Sequence, residues 1–161
     1  MKQQLLDQLS VLLEEAELDL LDLELATQEM TVVRADGVAS CLRQRSECYQ
    51  RLRETMEEAD RIAEEDESGA LKLAMNPAVN FDDVPEEVQP LFEQRLALNA
   101  IICRILALEK QAVGHIELER EKLLRQIREN NEGQSAKASR FLGAVKNDGD
   151  RVFFPAKSKQ I

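Results

Sequence analysis

The chain has 161 residues, a formal net charge of −10, 43% hydrophobic and 4% aromatic residues, and no Trp, which suits one hydrophobic core of modest size. Gly (6) and Pro (4) are scarce, while Leu, Glu, Gln, Arg and Ala, which lose little rotamer freedom in a helix, dominate. An acidic body repels phosphate backbones, excluding nucleic acid as the expected partner, and no apolar run reaches the roughly 20 residues needed to span a bilayer.

Helix 1 is predicted over residues 3–34. Leu9, Leu13, Ala16, Leu20, Leu23, Thr27 and Met30 recur at alternating steps of four and three, a seam of period 3.5. Leu5, Leu6, Leu12, Leu21 and Leu25 widen it on both sides, enough to touch two neighbours. Ala35-Asp36-Gly37 then interrupts the pattern with a cap residue and a helix breaker. A turn here makes helices 1 and 2 antiparallel; the alternative is one kinked rod of about 64 residues, roughly 95 Å long.

Helix 2 is predicted to run to about residue 66, with Val38, Leu42, Arg45, Tyr49, Leu52, Met56, Ala59 and Ala63 on its seam and Cys41, Cys48, Thr55 and Ile62 beside it. Residues 57–93 hold twelve acidic and two basic side chains, and their middle, 69–84, reads as a long irregular acidic loop around Asn76-Pro77. Helix 3 is predicted over 90–131 on a seam of Phe92, Leu96, Asn99, Ile102, Leu106, Glu109, Val113, Ile116, Arg120, Leu123 and Ile127, with Asn130, Asn131 and Gly133 as its stop. Asn99 either fixes register from a buried position or faces solvent. Residues 133–161 read as a flexible, basic tail. The expected architecture is therefore all-α, an antiparallel bundle of three long helices with a long acidic loop, in which residues 1–132 form the bundle and 133–161 the tail.

Most catalytic constellations fail on residue inventory. His115 is the single histidine, placed mid-helix behind Gly114, and reads as a surface or groove-lining side chain rather than a base. A di-iron site needs Glu three residues before His, where Ala112 stands. Cys41 and Cys48 are roughly 10 Å apart on one helix face, beyond disulfide reach, and read as core fillers. Glu64-Glu65-Asp66-Glu67 lacks the alternating ligands and central Gly of a calcium loop and reads as a solvated helix end. No enzyme activity, metal or cofactor is expected. Three cysteines and an N-terminus without the basic-then-apolar pattern of a signal peptide point to the cytoplasm.

Lengths direct attention to the end of helix 3. Helices 1 and 2 span about 45–48 Å and helix 3 about 63 Å, so Leu123, Leu124 and Ile127 are expected to lack neighbours within the chain, the usual mark of a partner surface. Phe153-Phe154-Pro155 folds back on the bundle, makes a short linear contact with a partner, or stays disordered.

The layout resembles the FlgN family of flagellar export chaperones. The resemblance rests on a leucine-rich first helix ending at Thr31-Val32-Val33-Arg34-Ala35-Asp36-Gly37, a second helix with Leu42 and Arg51-Leu52, the Leu98-Asn99 pair in the third, and a tail with Phe141-Leu142-Gly143 and a basic end, Lys157-Ser158-Lys159-Gln160-Ile161. It implies a cytoplasmic type III export chaperone, monomer or homodimer, whose C-terminal helix and tail bind an amphipathic helix of hook-associated proteins. It also implies export-gate docking through a tail Tyr before a Gly, a place held here by Phe141 and Leu142. The expected partner-binding residues are Ile116, Leu123, Leu124, Ile127, Phe141, Leu142, Phe153 and Phe154. The alternative is a structural coiled-coil protein whose seams serve self-assembly.

Overall fold

A computed structural model describes residues 2–147, with side chains as far as 143. The described residues form helices α1 (Lys2–Met30), α2 (Val38–Glu64), α3 (Ala70–Ala74) and α4 (Gln89–Asn147), with short 3-10 turns at Ala35–Gly37, Phe81–Asp83 and Glu86–Val88. The fold is all-α. Contacts divide the chain into a first unit, Met1–Glu119, and a second, Arg120–Ile161.

In the first unit, α1 buries Leu5, Leu9, Leu13, Ala16, Leu20, Leu23, Thr27 and Met30, the heptad seam read from the sequence. Each fully buried leucine contributes about 1.5–3 kcal/mol relative to exposure. The predicted widening of that seam is one-sided: Leu6 and Leu12 pack against the core, but Leu21 and Leu25 face solvent.

The break between the first two helices is a turn. Arg51 Nε donates to Asp19 at 3.2 Å and Arg45 Nε to Thr27 Oγ1 at 3.1 Å, so positions on α1 rise as those on α2 fall, and the helices are antiparallel. Gly37 is required by close approach, since a Cβ there would lie 2.6 Å from Val33 Cγ2. The rising pairs Ser10–Gln94, Glu24–Arg104 and Val33–His115 make α1 and α4 parallel. The three long helices thus run up, down and up.

Two predicted seams hold only in part: Leu52, Met56, Ala59 and Ala63 on α2 and Phe92 and Ile102 on α4 face the core as expected, while other positions are displaced. On α2 the buried positions are Cys41, Cys48, Ala59, Ile62 and Ala63, whereas Leu42 and Tyr49 are exposed. Small thiols pack without a polar remainder, while a buried Tyr needs a partner for its hydroxyl. On α4 the core takes Leu91, Phe92, Leu98, Ile101, Ile105 and Ala112, leaving Leu96, Leu106 and Val113 outside. Asn99 lies half-buried at the edge of that face and accepts from Arg95 Nη1 at 3.3 Å.

The predicted irregular loop is a plug. Leu71, Val84 and Val88 are fully buried in the main cluster together with Leu5, Leu9, Ile62 and Phe92. Gly69, with φ of 74°, starts α3 in the left-handed region, which glycine enters without strain. Asp66, expected as a merely solvated acid, accepts from the Leu71 amide at 3.0 Å and from the Ser68 hydroxyl at 2.8 Å. The Leu71 bond is the chief cause holding its carboxyl below the usual aspartate range.

A second, smaller cluster at the α1–α2 turn comprises Met30, Cys41 and Ala112, with Val33 and Ile116 packed against it. Toward the α1–α2 turn a polar network links the three long helices. The Thr27 hydroxyl donates to the Leu23 carbonyl at 2.7 Å and accepts from Arg45, whose guanidinium pairs with Glu109.

In the second unit the described residues are helical as far as Asn147, so the predicted stop at residues 130–133 and the start of a flexible tail at 133 are both corrected. Gly133 has open space around it, and one glycine costs a helix only about 1 kcal/mol when its neighbours, here Glu132, Gln134, Ala136 and Lys137, are mostly good formers.

Candidate functional site

The candidate surface is built on α4 beyond its core contacts. His115 touches the residues that follow α1: its Nε2–H donates to the Val33 carbonyl oxygen at 2.6 Å. The ring therefore serves as a tie between segments. Ile116, expected at the partner surface, is half-buried against Met30, Cys41 and Ala112; the turn of the bundle covers it and it belongs to the core.

From Arg120 to Gly143 every described side chain is exposed. Leu123, Leu124 and Ile127 are 46%, 38% and 38% exposed and sit within one helical turn, the spacing at which side chains form one patch. Phe141 and Leu142 are also exposed and helical. Each follows its counterpart, Leu123 or Leu124, by five turns of 3.6 residues, so the two pairs share a helix face about 27 Å apart. Asn130, Asn131 and Gln134 interrupt the stripe between them. Residues 120–142 carry six basic and three acidic side chains, opposite in sign to the chain as a whole. Phe153 and Phe154 lie outside the described residues.

Among the described residues no group of three His, Cys, Asp or Glu is placed to hold a metal ion, and no helix is long and apolar enough to cross a membrane. Cys41 and Cys48 are buried and Cys103 is exposed.

The sequence reading passed over a second apolar surface. Val11, Leu18 and Leu25 recur every seven residues on α1, with Val32 at the same interval in the turn just past its end, and all are exposed, Leu18 by 65% and Val32 by 75%. At 100° per residue, Leu18 lies opposite Leu9 and Leu20 in the core. A search for one seam per helix hides such a second register, although the seven-residue repeat itself is visible in the chain.

Searches against known protein families, curated proteins and solved structures give no match for this chain.

Proposed function

We propose that the protein is a helix-binding export chaperone of the cytoplasm, which holds an amphipathic helix of a flagellar hook-associated protein against α4 between Leu123 and Leu142. The carrying observation is the exposed apolar stripe of Leu123, Leu124 and Ile127 on a stretch of α4 whose described side chains are all exposed. Anchors spaced three and four apart suit the groove-like seam offered by a partner helix, and the basic flank favours an acidic one. The resemblance to FlgN chaperones supplies the partner class. Binding of this kind keeps a secreted subunit unassembled and needs no nucleotide or cofactor.

The test is capture of a tagged hook-associated protein from the same cell. Leu123→Asp with Ile127→Asp abolishes capture and leaves circular-dichroism helicity unchanged, because neither side chain is in the core. Undiminished capture by that variant refutes the site. A continuous α1–α2 rod, the form that favoured a purely structural coiled coil, is replaced by the turn at Gly37.

A further inference from the structure

The outer face of α1 is greasy and acidic together. Val11, Leu18, Leu21 and Leu25 stand exposed on it, and Val32 just past its end. Between Lys2 and Arg34 the helix carries eight acidic residues and no basic one. Asp19 and Asp22 are paired with Arg51, and Glu24 with Arg104, but Glu14, Glu15, Glu17 and Glu29 make no ion pair with any described residue. Open clefts deepen this face where α2 adjoins it. One of about 400 Å³ lies beside Val11, between Asp7 and Glu58; another of about 340 Å³ lies beside Leu25, where Asp22, Glu29 and Glu47 outnumber the one basic residue, Arg51. A stable surface does not gather exposed leucines at heptad spacing by chance of composition, since each costs solvation that a polar residue would spare.

The chain itself contains the matching surface. Residues 120–142 of α4 are basic, apolar along one stripe, and exposed. Val11 to Leu25 and Ile127 to Phe141 each span about 21 Å of helix at 1.5 Å per residue. Val11 and Leu25 are fourteen residues apart, as are Ile127 and Phe141, so both surfaces set anchors two heptads apart. A strict seven-residue repeat drifts about 20° per heptad on a straight helix, which a supercoiling partner helix follows. Arg120, Arg125, Arg128, Lys137 and Arg140 supply long cationic side chains of the sign and reach that the acid-lined clefts accept.

We propose that two copies of this chain associate by seating the α4 stripe of one on the α1 ridge of the other, reciprocally, so that one two-fold axis closes the pair. The inference rests on reading the stripe as a docking face and adds its occupant in the absence of cargo: a second copy. Cargo and the second copy then compete for one surface. Ridge–ridge pairing is opposed by the like charge of the two acidic faces, and stripe–stripe pairing by their basic flanks. Asn130, Asn131 and Gln134 in the middle of the stripe keep the association reversible.

The experiment is sedimentation equilibrium on the full chain over a concentration series at low and high salt. The expected result is a dimer that weakens as salt rises. Leu18→Asp with Leu25→Asp, and separately Leu123→Asp with Ile127→Asp, each weaken self-association about 30-fold or more, the effect of losing a hot spot. Both retain the wild-type melting curve at concentrations low enough for the wild type to be monomeric, because all four side chains are exposed. Glu15→Lys with Glu29→Lys weakens it without touching an apolar side chain. Mixing the two leucine variants restores a dimer through the one intact ridge–stripe pair. A wild type that is monomeric throughout, an association indifferent to either leucine variant, or a mixture without dimer overturns the proposal. Capture of the tagged hook-associated protein by the same variants separates the two readings. A monomeric wild type whose stripe variant loses capture overturns self-association alone; a dimer whose stripe variant still captures overturns the proposed function alone.

Discussion

Removing Arg45 probes how the three long helices are held in register. Its Nε donates to Thr27 Oγ1 at 3.1 Å and its Nη2 pairs with Glu109. The pair is partly shielded, with 22% and 38% of the two side chains exposed. Arg45→Ala therefore loses one charge-assisted bond of intermediate worth, one bond to a hydroxyl, and the packing of an aliphatic stem, about 2–3 kcal/mol together. Thr27 keeps its donor bond to Leu23, so no buried donor is orphaned and the loss stays in that range. For a chain of this size that lowers the melting temperature by about 10 °C. Glu109→Gln keeps a side-chain oxygen for Arg45 and costs about 1 kcal/mol or less. Urea unfolding followed by circular dichroism measures both, and the double variant. The double variant should match Arg45→Ala within about 0.5 kcal/mol, because Glu109 has nothing left to pair with. A cost for Arg45→Ala below about 0.5 kcal/mol, or single costs that simply add, refutes the network.

Gly37→Ala drives its Cβ toward Val33 Cγ2, whose β-branched side chain yields little; a loss of about 1–2 kcal/mol is expected, and Val33→Ala in the same chain should recover part of it in thermal melts. Gly114→Ala meets open space inside a helix and should stabilise by about 0.5–1 kcal/mol; a lower melting temperature contradicts the placement of that residue. The carboxyl of Asp66 is held below its ordinary range by the Leu71 amide first and by Ser68 after it. A depressed acid contributes stability that is fully present above its unfolded pKa and lost as pH falls through the folded one. The stability gap between wild type and Asp66→Ala, measured by urea titration, should accordingly hold from neutral pH to the ordinary aspartate range and close below it.

How far the sequence could be read depended on the kind of residue. The α1 seam was legible because leucines at steps of three and four leave one solution for the core. On α2 and α4 two heptad registers compete. Cys41–Cys48 against Leu42–Tyr49, and Leu98–Ile105 against Leu96–Leu106, differ by a rotation that only the partner helix decides. Hydrophobicity alone therefore selected the wrong neighbour in several places. Ile116 and Leu123 fell on one predicted seam, yet one is packed by the α1–α2 turn and the other is bare. The connector was misread because Val84 and Val88 lie singly among Asp, Glu and Pro, and the run Ala70, Leu71, Ala74 and Met75 is too short, at one helical turn, to show a period. The overlong reach of the last helix was visible in the residue count, whereas its passage through Gly133 was not, because one glycine is a weak stop.

The connector, residues 65–88, has a consequence for how the chain tolerates cutting and shortening. With the first and last long helices parallel and the middle one reversed, the end of α2 and the start of α4 already lie at the same end of the bundle. A handful of residues would join them. The remaining length is ballast that has become masonry: Leu71, Val84 and Val88 fill what would otherwise be a water-filled mouth between Leu5, Ile62 and Phe92. Trimming it to a minimal hairpin would preserve the route of the backbone and hollow out the base of the molecule.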